Sequence, residues 1–405
     1  MPQAAGGAID LAAVQNERAH APSMPPQPPP GGKVVAPVNP GAAPKPAAAN
    51  TKVGAAGPPV GLFDLARDFF RRHGKKLWWL HSAYALALGL GVVFVAQRGF
   101  ERARWLAVSL GLSWLVLLLF FRLFGSGREQ QSVDHAPTKA KIRFYVMTYA
   151  LKNLYQGMLF FLLPFYARSA TLDSINAVTL LLLGACAILS TIDIVFDRVL
   201  LKWRLLASIF HGLTLFGCLN LVIPALFPDT RTLFTLMWAA GITTLAFWTL
   251  HVRISTFARK RYIALFVGSL GASVGLAYLI RPGIPPVPMH VSHAAVGPTT
   301  LADGRLAMEV RSLHPSVIQE LLAVTDVVVP GGKGDRLHHV WKRNGVELHR
   351  STEDTSRVDG PQGTVRLRSA LKGQALPQDL VGKWTVDVET EDGQLVGRLA
   401  FSVQE

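Results

Sequence analysis

The sequence predicts a membrane-embedded all-α bundle of about seven transmembrane helices, followed by a C-terminal all-β domain of the sandwich type. Seven apolar segments lie between residues 77 and 281, each close to the roughly 20 residues that a helix needs to cross a bilayer. Beyond residue 288 the apolar residues recur with period two, which is typical of strands. Charged residues make up only 17% of the chain, fewer than in an ordinary soluble protein.

The chain begins with a segment, residues 1–60, that is rich in proline, alanine and glycine and poor in large apolar side chains. Such a composition predicts a disordered cytosolic tail, because little apolar surface is available to offset the entropy of folding. The tail is either a spacer or a ligand for a proline-binding cytosolic partner. Residues 61–76 have one apolar and one charged helical face, which predicts an amphipathic helix in the membrane interface.

The seven apolar segments form the predicted transmembrane region, residues 77–281. Aromatic residues flank several of them, as expected at the boundary between lipid and water. The third segment is the least apolar. The predicted spans are 77–97, 105–124, 143–165, 174–196, 204–226, 232–250 and 262–280.

The distribution of Lys and Arg predicts how the spans are oriented. One set of alternating connections holds 17 of these residues and the other set holds 6. Because basic residues favour the cytosolic side, the N-terminus is expected in the cytosol and the C-terminal domain outside it. In a bacterial inner membrane, that domain would be periplasmic. The net charge of +15 is carried by the segments beside the spans, so we expect a lipid bilayer as partner and no nucleic acid.

The C-terminal region begins with a Pro-rich linker, residues 282–288, and continues as a predicted β-sandwich over 289–405. Asn344-Gly345 and Asp392-Gly393 each separate two alternating runs and predict tight hairpins. Both cysteines of the chain lie in apolar segments, so no disulfide staples this domain. Strands are predicted at 305–310, 320–329, 336–343, 346–351, 364–369, 383–390 and 394–403.

These residues also carry a resemblance. The run His339-Val340-Trp341 followed by Asn344-Gly345, then Arg366-Leu367-Arg368-Ser369 and the stretch around Trp384, resembles a bacterial family of small β domains of unknown function. The resemblance covers roughly 320–405 and implies a β-sandwich and an envelope location, with no reaction attached. Similar domains carry an aromatic residue where this chain has Leu367, so a ligand platform that used it would be weaker here. The whole layout resembles uncharacterised bacterial membrane proteins.

Ionisable residues inside the predicted spans are the first candidates for a functional site, because lipid disfavours them. Two interpretations stay open for this polar cluster. It is either a site for an ion, a proton or a substrate, or an ion pair with hydrogen bonds that locks the helices together. The cluster consists of Lys152, Asn153, Gln156, Asp193 and His211.

The β domain offers a second candidate, a face that could contact a ligand or partner. Trp341 and Trp384 lie on predicted strands, where tryptophan is either a core anchor or an exposed stacking platform. Arg350, Arg366 and Arg368 could bind an anion, with a solvated strand face as the alternative. His290 and His293 are three residues apart, and without cysteine they do not predict a metal site.

No catalytic, nucleotide-binding or zinc-protease motif occurs in the sequence, and no cofactor is predicted. The leading expectation is therefore a non-enzymatic membrane protein whose β domain binds a periplasmic protein or a glycan. The alternative is a transporter or membrane-embedded enzyme that uses the polar cluster in the bundle.

Overall fold

A computed structural model gives the chain a helical N-terminal part and a C-terminal β-sheet domain. The predicted tail, the amphipathic helix 61–76 and the first predicted span lie outside the residues that the structure describes. Those residues are 103–126, 137–257, 259–299, 306, 308–329, 335–351, 358–359 and 363–405.

The helical part consists of long apolar helices joined by short connections. α4 begins as an α-helix and ends as a π-helical turn over Phe196–Leu200. The helices are α1 (Arg104–Phe124), α2 (Thr138–Ser169), α3 (Ala177–Thr191), α4 (Asp193–Leu200), α5 (Arg204–Leu226), α6 (Thr232–His251), α7 (Ile254–Phe257) and α8 (Lys260–Ile280).

Among the described residues, four helices are long and apolar enough to cross a membrane: α1, α5, α6 and α8. A fifth span results if α3 and α4, which meet at an angle of 90°, count as one. The structure therefore does not confirm the count of seven. The fourth predicted span was expected to be one continuous helix, but the helix is interrupted at Ile192, where α3 ends and α4 begins. The third, α2, is long enough but carries polar side chains in its middle, and it is not among the four.

The long helix α2 lies at the centre of the helical part and packs against α1, α3 and α5. Tyr166 near its end donates a hydrogen bond to the carbonyl of Gly217 on α5, at 3.1 Å. A Cβ at Gly217 would lie only 2.9 Å from a methyl group of Leu183, so the absence of a side chain allows α3 and α5 to approach. Small residues have this role in helix packing within membranes.

The β domain is a sandwich of two sheets. One sheet has the strand order β1-β3-β7-β6 and the other has the order β2-β9-β8-β4-β5. All pairs are antiparallel except the short parallel pair of β2 and β9. The strands are β1 (His290–Gly297), β2 (Ser312–Leu313), β3 (Glu320–Val328), β4 (Leu337–Arg343), β5 (Val346–Arg350), β6 (Val358–Asp359), β7 (Thr364–Lys372), β8 (Gly382–Thr390) and β9 (Leu395–Val403).

The hairpin between β4 and β5 forms where the sequence predicts it. Asn344 and Gly345 both have positive φ, 48° and 83°, as a tight two-residue turn requires. Three strands were not predicted: β1, β2 and the two-residue β6. β1 (His290–Gly297) contains a bulge that interrupts its alternation. Among the described residues of the predicted strand 305–310, Leu306 forms an isolated bridge and Met308–Val310 is not in a strand.

The segment that joins the two parts is packed rather than free. Ile284, Val287 and Met289 are all buried, although the Pro-rich sequence predicts a stiff spacer. The side chain of Gln394, just before β9, donates a hydrogen bond to the carbonyl of Ile284 at 3.1 Å. The linker thus forms part of the contact between the helical part and the β domain.

Candidate functional site

The break between α3 and α4 creates the local structure of the candidate site. The last carbonyls of a helix have no partner within that helix. Ser190 lies in the last turn of α3, and the side-chain amide of Gln156 on α2 donates to its carbonyl at 3.0 Å. α4 then begins with Asp193 and runs at 90° to α3. The bend directs the first turn of α4 toward the middle of α2.

Lys152 of α2 meets this turn. Its ammonium group forms an ion pair with the carboxylate of Asp193, and both residues are buried, 6% and 8% exposed. Asp197 lies one helical turn after Asp193 and interacts electrostatically with Lys152 and with Asp193. Two carboxylates therefore share one ammonium group in a largely buried setting.

A cavity of about 450 Å³ opens beside these charges. Lys152, Asp193 and Asp197 line it together with Thr148 and three further residues of α2, namely Tyr145, Val146 and Tyr149. Within the described part of the chain, neither the buried Oδ1 atom of Asp197 nor the buried hydroxyl of Thr148 has a hydrogen-bond partner. Buried polar atoms are normally paired, so two such atoms at one cavity indicate room for a ligand, a water or a proton.

Two of the predicted members are placed differently. His211 on α5 is buried, and its Nδ1 atom lies 2.9 Å from the hydroxyl of Tyr155, which belongs to the next turn of α2 after Lys152. His211 therefore contacts the cluster's helix but does not line the cavity. Asn153 is exposed and donates to the carbonyl of Tyr149 on its own helix. The structure thus gathers Lys152 and Asp193 with Gln156 nearby and leaves Asn153 outside.

The predicted ligand face of the β domain is not assembled. Trp341 and Trp384 are 0% exposed and pack against Phe401 in the core between the sheets, so neither offers a stacking platform. The core interpretation of both tryptophans therefore holds. Leu367, at the position where similar domains carry an aromatic residue, is also buried and is therefore part of the core.

The three predicted arginines lie on different sheets. Arg350 is on β5 and pairs with Glu347 and Glu389. Arg366 and Arg368 are on β7 in the other sheet, and Arg366 forms a two-point ion pair with Asp326 at 2.6 and 2.9 Å. This pairing holds the pKa of the Asp326 carboxyl below its usual value. The sequence could not predict the separation, because strand alternation gives the face of a residue but not its sheet.

Polar contacts attach the β domain to one end of the helical part. The carboxylate of Asp335 accepts bonds from the backbone N–H and the hydroxyl of Thr232, the first residue of α6, at 3.0 and 2.7 Å. Burial raises the pKa of Asp335, and the bonds from Thr232 act against that rise. Further contacts are Asn176 to the Leu395 carbonyl, Arg281 to the Asp392 carbonyl, Arg231 to Glu391 and Arg398 to Asp173.

His290 and His293 also lie apart from any metal-binding arrangement. Among the described residues, no group of three or more His, Cys, Asp or Glu side chains could hold a metal ion. His293 instead lies 3.1 Å from Glu309, and His290 lies against the carbonyl of Pro288.

Comparison with known families agrees with this division into two parts. A family model described as a family of unknown function (DUF5924) matches residues 65–320, more than half of the chain. The chain belongs to this family. A second model, described as a protein of unknown function (DUF2914), matches residues 334–403, which include β4 to β9. No curated protein matches the chain, and no solved structure matches it.

The first family match contains the Lys152–Asp193–Asp197 site and ends at the start of β3. Asp197 was missed because the predicted span ended at residue 196, one position before it. The signal that would have found it is its spacing, since residues four apart share one face of a helix. Tyr155 and Thr148 carried no comparable signal, because a lone Tyr or Thr in an apolar helix is common.

Proposed function

We propose that this chain is a seven-span protein of a bacterial inner membrane, with its N-terminus in the cytosol and its β domain in the periplasm. Four apolar helices among the described residues support a membrane location. Large apolar side chains point outward on them, including Trp105 at 73% and Leu279 at 72% exposure, where lipid is a better surrounding than water. The excess of Lys and Arg in one set of connections supports the orientation.

Within that membrane protein, we propose that the cavity beside Lys152, Asp193 and Asp197 binds and releases a proton or an alkali cation. The activity is then the transport of that cation. One observation carries this proposal: two carboxylates and one ammonium group line the cavity, and within the described part of the chain the buried Oδ1 atom of Asp197 has no hydrogen-bond partner.

The charge balance selects a cation over an anion. The lining of the cavity carries two carboxylates and one ammonium group, a net charge of −1 when all three are ionised, in a setting where charge is costly; the exposed Arg198 also interacts with Asp197. A proton or an alkali cation at Asp197 removes that charge. The hydroxyl of Thr148, which also lines the cavity, can contribute an oxygen ligand to a cation or hydrogen-bond a protonated carboxyl.

Flux into vesicles tests the proposal. The full-length protein is reconstituted into liposomes, and a membrane potential is imposed. An enclosed pH dye measures proton entry, and sodium-sensitive and potassium-sensitive dyes measure cation entry. We expect a protein-dependent flux of one of these ions, and Asp197→Asn should reduce it to the level of protein-free vesicles.

The control is Asp229→Asn, the same chemical change at an exposed carboxylate in the connection between α5 and α6. This variant should transport at the wild-type rate. Equal elution volumes in size-exclusion chromatography and equal thermal midpoints would show that the variants fold like the wild type. A wild-type protein that passes none of the three ions, or an Asp197→Asn variant that transports normally, would overturn the proposal.

The binding of a periplasmic protein or glycan by the β domain stays a prediction. The residues chosen for it from the sequence are either buried or divided between two sheets. The transport proposal therefore rests on the better-defined site.

A further inference from the structure

A second cavity lies at the end of the helical part where α1 and α6 finish and α5 begins. Its volume is about 910 Å³, twice that of the cavity beside Asp197. Three arginines line it: Arg122 in the last turn of α1, Arg204 at the start of α5, and Arg253 just after α6. His251 and Ser255 add further polar groups.

The charge of this cavity is one-sided. Its described lining contains no Asp or Glu, and among the described residues none of the three arginines forms an ion pair. Arginine guanidinium groups that line a common cavity without counterions repel one another. Three positive charges gathered in this way therefore favour an anion of more than one charge.

Arg204 is the most constrained of the three. Its guanidinium carbon lies 5.5 Å above the ring of Phe121, which holds the planar group against an aromatic face. Its Nε atom is buried and has no acceptor in the described part of the chain. Burying a charged donor without an acceptor is costly. A ligand oxygen in the cavity would supply the missing acceptor.

The start of α5 adds to the same field. Its first turn contains no acidic residue, and the N-cap residue makes no side-chain hydrogen bond to the helix. The backbone N–H of Arg204 donates to the hydroxyl of Ser126 at 3.0 Å. The partial positive charge of a helix N-terminus attracts anions. The arginine side chains and the helix therefore act in the same direction.

We propose that this cavity binds a phosphate group through Arg122, Arg204 and Arg253. Arginine matches phosphate because its planar fork donates two parallel hydrogen bonds to two oxygens. The group belongs either to the headgroup of an anionic phospholipid or to a soluble phosphorylated molecule. Basic pockets between membrane helices are typical sites for anionic lipid headgroups. This site is separate from the proposed transport site and does not depend on it.

The test measures thermal stabilisation of the full-length protein by two kinds of phosphate. In the first arm, inorganic pyrophosphate is added to protein in nanodiscs of phosphatidylcholine. In the second arm, no pyrophosphate is added, and the nanodiscs contain cardiolipin. We expect stabilisation in at least one arm, and Arg204→Gln should weaken the apparent affinity by roughly tenfold or more, since hydrogen bonds to charged groups contribute about 1.5–3 kcal/mol each.

Two further variants separate binding from folding and from general charge. Arg204→Lys keeps the charge but loses the fork, so we expect it to fold like the wild type and bind with intermediate affinity. A triple variant, Arg143→Gln with Arg259→Gln and Arg261→Gln, removes three charges, more than Arg204→Gln does, from exposed residues outside the cavity and should still bind like the wild type.

The pattern across the two arms identifies the source of the phosphate. Stabilisation by cardiolipin alone indicates a lipid headgroup, and stabilisation by pyrophosphate alone indicates a soluble ligand. Stabilisation in neither arm would overturn the proposal. Equal loss of binding in Arg204→Gln and in the triple control would also overturn it, because the attraction would then come from surface charge in general.

Discussion

The carboxylates of Asp387 in the β domain and Asp197 in the helical part differ in how completely their oxygens are paired. Asp387 on β8 is fully buried and accepts bonds on both oxygens, from Arg398 at 2.6 and 2.9 Å and from Lys342 at 2.7 Å. Asp197 on α4 shares Lys152 with Asp193, and one of its oxygens is buried with no hydrogen-bond partner among the described residues. Complete pairing stabilises a fold, whereas incomplete pairing leaves a group able to bind something else.

The arginines of the two regions differ in the same way. The arginines of the β domain mostly face carboxylates, as Arg350, Arg366 and Arg398 do. Arg122, Arg204 and Arg253 line a cavity without any described acidic residue. The paired arginines stabilise the fold, and the three that line the cavity, which form no ion pair within the described part of the chain, are those to which we assign a ligand.

The largest expected effect comes from removing the single cation of the carboxylate pair. Lys152→Met leaves Asp193 and Asp197 without their buried cation, and we expect a loss of about 3–5 kcal/mol in stability, seen as a lower thermal midpoint in detergent. Combining Lys152→Met with Asp193→Asn removes one stranded charge and should recover part of the loss. The exposed neighbour variant Asn153→Ala should change little. A double variant no more stable than Lys152→Met would show that the two groups are not coupled.

The β-domain counterpart tests the claim of complete pairing. Arg398→Met removes the two-point partner of Asp387 and leaves only Lys342, so we expect the domain to lose about 3 kcal/mol. Resistance to limited proteolysis measures this loss. Arg343→Met is the matched control, because its partner Asp379 is largely exposed and such pairs contribute less than about 1 kcal/mol. Equal effects of the two changes would contradict the distinction between them.

A smaller effect is expected from a buried histidine that links the two sheets. His339 lies 2.6 Å from the hydroxyl of Thr325 and 2.7 Å from that of Ser369, which also accepts a bond from Trp341. Burial, and next the charge of His338, lowers the pKa of His339 to about 4. The unfolded chain binds this proton more readily than the folded one. The contribution of His339 to stability is therefore present at a pH above its ordinary pKa of about 6.5 and is lost as the pH falls toward about 4.

The expected loss is about 2 kcal/mol between about pH 7.5 and about pH 5, measured by proteolysis of the β domain. His339→Gln should flatten this part of the pH dependence, and His314→Gln, at an exposed position, should leave it unchanged. A wild-type slope that survives His339→Gln would assign the effect to another group.

The sequence predicted those features that local patterns determine. Asn344-Gly345 specified its hairpin because a two-residue turn needs positive φ, and β3 (Glu320–Val328) followed its alternation. The break at Ile192 was not predicted, because no Gly or Pro marks it and the side chains that contact its two sides, Gln156 and Lys152, lie 34 and 41 residues from their partners in the chain. The pairing of Lys152 with Asp193 was predictable from charge and depth, but the position of Asp197 beside the cavity depends on the bend.

The cap on α6 has a consequence for how the molecule is made. Asp335 follows Thr232 by 103 residues, so the first turn of α6 is synthesised long before the side chain that accepts its N–H. At about 5–20 residues per second, roughly 5 to 20 s separate the two events during translation. The contacts of Asp173 with Arg398 and of Asn176 with Leu395 span even longer stretches, 225 and 219 residues. The helix ends therefore reach their final bonding only after β9, which carries Leu395 and Arg398, has emerged and folded.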